Sequence, residues 1–209
     1  MPYGYSGVTP NQKVKNTGVF SVNDINALVE SGNWGGSLEL LQEQSITSST
    51  ASMIFSTMKE STYDVHLLTY VNSIPVTAGG RIKMQLYESG VLETASVYQW
   101  AMQSNRSDGT YNETKSTAAD NFHLGTNTES GVTGSVDNAF IYIYDAGNSD
   151  RYTFINFQTS GLYEATSSLL SYFGGGVLPQ KSTVDGIKLF SSAGNIQNLQ
   201  AKLYGVKKV

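Results

Sequence analysis

The chain has 209 residues, room for one large domain or for a domain with an appendage. Only 14% of its residues are charged, well below the usual quarter, and so few long charged side chains argue against a helical bundle. Net charge is −4, with no Lys/Arg cluster beyond Lys207-Lys208 and no cysteine, which excludes electrostatic nucleic-acid binding, a disulfide framework and thiolate chemistry.

Residues 1–36 are rich in Gly, Asn and Lys and show no alternating apolar pattern. The opening Met1-Pro2-Tyr3-Gly4-Tyr5 lacks the charged-then-apolar order of a signal peptide, and no apolar run approaches the length of a membrane span. The expectation is a protein made in a cytoplasm that leaves, if it leaves, by another route such as lysis. Ser21 followed by Asp24 predicts an approximate capping box, and Ile25, Leu28 and Val29 form a short apolar stripe, so one helix is expected over residues 22–31. Ser31-Gly32-Asn33 ends it. The apolar groups of this arm are concentrated at Phe20, Ile25, Leu28 and Trp34, too few for independent folding. These four are the candidate partner-binding residues, expected to bury into a neighbouring subunit.

From Ser37 onward the sequence reads as strands, with thirteen Tyr and eight Phe among β-branched residues. Strands are predicted at Leu38–Ile46, Ser52–Thr57, Tyr63–Asn72, Arg81–Leu86, Val91–Met102, Ala139–Tyr144, Arg151–Gln158, Thr166–Phe173, Thr183–Phe190 and Gln197–Val206. Residues 103–137 read as a long polar loop, and Phe173-Gly174-Gly175-Gly176-Val177 as a flexible turn. The last two strands flank a Gly194-Asn195 turn, and a chain that ends on a core strand is expected to have closed its sheet there. The fold expected is all-β: a two-sheet antiparallel sandwich of jelly-roll type over residues 37–209, preceded by the docking arm of residues 1–36 with its single short helix. Ile82, Met84, Leu86, Ile187, Leu189, Leu199 and Leu203 are expected inside, because each lies on the apolar side of an alternating strand.

Chemistry-bearing motifs are sparse. His66 and His123 have no partner at metal or catalytic spacing and read as structural or surface residues. Asp137, Asp145 and Asp150 surround a Gly-Asn turn; such acids can bind calcium, but Asp, Asn and Gly are ordinary turn residues. No P-loop, Rossmann fingerprint or nucleophile elbow occurs. No cofactor or metal and no catalytic residue is therefore assigned. Tyr98, Trp100 and Tyr111 are the candidate glycan contacts, against the alternative that strand tyrosines pack with their hydroxyls at the surface.

One set of segments carries a resemblance. Gly18-Val19-Phe20-Ser21-Val22-Asn23-Asp24-Ile25 is followed by Gly32-Asn33-Trp34, then Ser48-Ser49-Thr50-Ala51-Ser52-Met53-Ile54-Phe55 and Thr62-Tyr63-Asp64-Val65-His66-Leu67, and finally Leu203-Tyr204-Gly205-Val206-Lys207. In this order, and over most of the chain outside residues 103–137, it resembles a group of small virion proteins of tailed bacteriophages, of the marine and cyanobacterial type. The resemblance implies a non-enzymatic structural subunit: capsid decoration, head fibre or tail-associated protein. Its partners would be other phage structural proteins of capsid or tail, with further copies of itself, a trimer among the arrangements. It would act in the virion after lysis, with neither nucleic acid nor membrane as partner. The competing expectation is a carbohydrate- or receptor-binding module that meets a host surface glycan.

Overall fold

A computed structural model describes residues 21–30, 37–126, 135–163 and 168–207, with the side chains of residues 28–30 excepted. The chain divides into two compact units, Met1–Ser37 and Leu38–Val209.

In the first unit the described element is helix α1, Val22–Glu30. Its start is fixed by the reciprocal cap legible in the sequence. The Ser21 hydroxyl accepts from the Asp24 amide at 3.2 Å, while the Ser21 amide donates back to the Asp24 carboxylate at 2.9 Å. Nine residues make a helix too short to persist alone in water. Ile25 is half-buried and Val22 exposed. Phe20 and Trp34 lie outside the described residues, as does the side chain of Leu28.

The second unit is all-β. Its strands are β1 (Leu38–Ile46), β2 (Ser52–Phe55), β3 (Val65–Pro75), β4 (Ile82–Glu88), β5 (Val91–Leu92), β6 (Tyr98–Arg106), β7 (Tyr111–Ala119), β8 (Phe122–His123), β9 (Asp137–Tyr144), β10 (Thr153–Tyr163), β11 (Ser168–Leu178), β12 (Val184–Ser191) and β13 (Ile196–Val206). They form two antiparallel sheets. The larger has eight strands in the order β1-β13-β3-β9-β10-β11-β6-β7; the smaller runs β2-β12-β4-β5, with β8 also on β4. The sheets face each other as a sandwich around one core. Leu68, Tyr70, Ile141, Ile143, Ile155 and Leu203 line it from the larger sheet, and Met84, Leu86, Ile187 and Leu189 from the smaller. All seven residues expected inside from strand alternation are buried.

Three expectations need correction. Val91–Met102 is not one strand: β5 pairs with β4 in the smaller sheet, and β6 belongs to the larger. Residues 103–137 are not a long loop, because β6 runs on to Arg106 and turns through Asp108-Gly109 into β7, and β8 follows. Strand β7 is the sheet edge and most of its side chains are exposed, so it has no alternating apolar face to announce it. The hairpin turn was readable: Gly109 has φ 87°, and Asp-Gly is a strong hairpin signal. The Gly194-Asn195 turn carries the chain from β12 in one sheet to β13 in the other, where β13 inserts between β1 and β3.

The third correction concerns Gly174, Gly175 and Gly176, which form the middle of β11 rather than a flexible turn. Close packing explains them. A Cβ on Gly174 would stand 2.4 Å from the Ala101 carbonyl oxygen, and one on Gly176 would stand 2.6 Å from the buried Phe122 ring. On Gly175, which faces outward, the nearest atoms would be the Asn156 amide oxygen at 2.9 Å, the end of a side chain that can rotate away, and the Ile155 carbonyl oxygen at 3.0 Å, a milder backbone contact than the 2.4 Å at Gly174. Gly174→Ala is therefore expected to cost about 1–3 kcal/mol of stability, and Gly175→Ala at least about 1 kcal/mol less than that. Chemical denaturation of the two variants checks it; equal costs would remove close approach as the reason for the glycine run.

Candidate functional site

The chemistry-bearing residues of the sequence are mostly consumed by the core. His66 is buried, with Nε2 2.8 Å from the Met58 carbonyl oxygen. His123 is buried beneath Trp100, whose ring meets it edge-on at 5.4 Å, and beside Tyr172 at 5.9 Å. Burial, with the neighbouring charges of Lys83 and Arg81, pushes the His123 imidazole down to about 3, so it is neutral at any ordinary pH. The two histidines stand on different strands and do not form a pair.

Among the described residues, no group of three or more His, Asp or Glu side chains is placed to hold a metal ion. The acids around residue 145 do turn chemistry. Asp145 sits at φ 58° with its amide on the Asp64 carbonyl, the Asn148 side chain accepts from the Asp150 amide, and Arg151 lies 3.4 Å from Asp145. No described helix is long and apolar enough to cross a membrane.

The three aromatic residues expected to meet glycan are not brought together. Tyr98 is fully buried; its hydroxyl accepts from the Leu86 amide and donates to the Glu93 carbonyl, both at 3.0 Å, so it ties β6 to the smaller sheet. Trp100 shares that inward side and rests on His123. Tyr111 is exposed, five strand positions further along the sheet edge, opposite Asn105. The pattern of bulky residues could not separate these cases, because a strand alternates and both faces of this sheet are aromatic.

The outer face of the eight-stranded sheet is the arrangement that sequence reasoning missed. Register places outward residues in rows that cross the strands. One row passes through Leu40, Tyr204, Leu67, Tyr142 and Asn156. The row on one side of it includes Leu38, Val206, Val65, Tyr144, Phe154 and Val177. On the other side Phe140 and Phe173 flank Gln158. Leu38, Leu40, Phe140, Phe154 and Phe173 are each at least 42% exposed. Tyr142 stacks on Tyr144 at 6.3 Å and meets Phe140 edge-on at 6.2 Å. Monomeric proteins rarely leave a contiguous apolar patch of more than a few hundred Å² in water.

Charge is absent from the middle of this face. The outward residues of β3, β9, β10, β11 and β6 include no Asp, Glu, Lys or Arg. Charges stand toward its two ends: Glu43 with Lys202, 3.2 Å apart, at the β1 end, and Glu113 and Lys115 on β7. An apolar, aromatic centre with a charged rim is the anatomy of a protein interface. Beside Phe154, Gly175 and Ala101 form the floor of an open trough of about 460 Å³ whose polar lining includes Gln99, Lys115 and Asn156. The signal for the whole face was present in the sequence as Phe140, Tyr142 and Tyr144 alternating with Ala139, Ile141 and Ile143.

No protein-family model matches the chain, and no curated protein matches it significantly.

Deep in the sandwich, Asp137 accepts hydrogen bonds from the Tyr70 hydroxyl at 2.9 Å and the Thr126 hydroxyl at 3.0 Å. Burial nevertheless dominates and raises its carboxyl to about 7. An unfolded Asp titrates near 3.9, so the folded state holds the proton more tightly. The resulting stabilisation is fully present below about pH 4 and is lost as pH rises to about 7, at roughly 1.4 kcal/mol per unit. The stability of wild type relative to Asp137→Asn is therefore expected to fall between pH 4 and pH 7 and to level off above that. A difference that stays constant over pH 4–8 in denaturation curves would show that Asp137 is already ionised in the fold.

Proposed function

We propose that this chain is a non-enzymatic structural subunit of a tailed-phage virion, a capsid-decoration, head-fibre or tail-associated protein. The observation that carries the reading is the outer face of the eight-stranded sheet, which is broad, aromatic and uncharged at its centre. A surface of that kind is stable in water only when another surface covers it. An assembly subunit has such a partner; a small freely diffusing enzyme does not need one. The sequence resemblance to small virion proteins and the short apolar arm around Ile25 point the same way. The arm's side chains would bury into a neighbouring subunit, each worth roughly 1.5–3 kcal/mol, and repetition in a particle adds avidity.

Particles that carry the full-length chain are expected to retain it through density-gradient purification. Deletion of residues 1–36 is expected to leave a folded β-domain, by circular dichroism and melting, that is lost from the particles. Retention of the truncated protein at the full-length level, measured by quantitative mass spectrometry, would overturn the reading.

One observation favours a second reading, attachment to host glycan. The trough beside Phe154 offers a ring face for stacking, with the amides of Gln99 and Asn156 as hydrogen-bonding partners. On that reading Phe154→Ala abolishes binding to host polysaccharide in a pull-down, while Tyr98→Phe, altered only in the core, leaves binding intact.

A further inference from the structure

We infer that the outer face of the eight-stranded sheet is covered by the same face of a second copy of this chain, in a two-fold symmetric dimer. The inference rests on the reading of this face as an assembly surface and names its occupant. Three features select a second copy.

The first is area. Eight strands about 4.8 Å apart, crossed by three rows of outward side chains about 7 Å apart, make a face of about 800 Å². A stable interface of standard size buries about 800 Å² on each partner. The face is therefore large enough to hold a dimer by itself.

The second is charge. The centre of the face has none, so two copies meet there without repulsion. A two-fold axis lying in the interface, parallel to the strands and between β9 and β10, lays the β1 end of one copy over the β7 end of the other. Each end has one acid and one base, Glu43 with Lys202 and Glu113 with Lys115, so neither end repels the other. A strongly basic or acidic partner would find nothing to complement.

The third is the position of the centre. In the order β1-β13-β3-β9-β10-β11-β6-β7 the midpoint falls between β9 and β10. The paired residues Tyr142 and Asn156 lie at that midpoint in the central row, with Phe140 and Phe154 on either side. Aromatic rings near the axis give a self-complementary contact, as an isologous interface requires.

The test uses the purified full-length chain with no particle present, so its failure is separate from failure of the virion reading. Sedimentation equilibrium at micromolar concentration is expected to give a dimer. Phe154→Lys and Phe140→Lys place unpaired charge near the axis and are expected to weaken association by about tenfold or more while the monomer keeps its β circular-dichroism spectrum, since both side chains lie on the outer face. Val91→Lys, exposed on the other sheet, is expected to leave the dimer intact. The chain has no cysteine, so Asn156→Cys gives a single thiol beside the axis, which a short bis-maleimide should link to its copy; Val91→Cys should not link. A monomeric wild type, a closed trimer, or a dimer indifferent to both lysine substitutions would overturn the inference.

Discussion

Strand geometry forces every residue of the larger sheet to choose one of two faces, and the core has already taken one of them. Side chains alternate along a strand, so each buried Ile141 or Ile155 obliges its neighbours, Tyr142 and Phe154, to point outward. In most antiparallel sandwiches the obliged residues are charged or small. Here they are aromatic and aliphatic over the middle strands. The inward choice makes a stable domain, and the outward choice leaves a face of about the size of an interface with an aromatic centre. The core and the proposed interface thus come from the same alternation, read on opposite sides of one sheet.

The inner side shows how tightly that domain is assembled. Phe122 packs edge-on against Tyr98 at 4.9 Å and occupies the space that a side chain on Gly176 would need. Polar groups are admitted where they join elements. The Tyr98 hydroxyl bonds to backbone on the smaller sheet, and Thr159 donates to the Leu124 carbonyl at 2.6 Å. Asp137 is the costly member, a carboxyl wholly enclosed with two hydroxyls directed at it. Such a network fixes which residues of β3, β9 and β10 face inward, and so also fixes which residues are left outside.

The sequence made strand identity legible wherever one face was apolar. Ile82, Met84 and Leu86 announced β4, and Leu199, Ala201 and Leu203 announced β13. It hid β7, because an exposed edge strand made of Asn, Glu, Thr, Lys and Ser has no hydrophobic period. It misrepresented β11, because a triple glycine means flexibility in a loop and close approach in a sheet, and only the neighbours Met102 and Phe122 decide between them. The reciprocal cap of α1 was legible because it is local, three residues apart. Sites were less legible than strands. Tyr98 and Tyr142 look alike in sequence; one ties β6 to the smaller sheet and the other lies on the outer face, and long-range pairing alone separates them.

Where the few charges stand then becomes informative. With 13 basic and 17 acidic residues in 209, the chain could have spread them over the whole outer face and made it inert. On the larger sheet the outward charges are instead at or beside the edge strands: Glu43 on β1 with Lys202 on β13, and Glu113 and Lys115 on β7. Sheet edges are where unpaired backbone groups invite indiscriminate strand addition, and charged side chains are a common means of blocking it. The same placement that discourages edge-to-edge growth keeps the centre of the face open. On the proposed reading, association would be directed through side chains on a surface of fixed register rather than through backbone at an open edge. Contact through side chains has a defined partner and a defined stoichiometry, which is what a subunit of an ordered assembly requires.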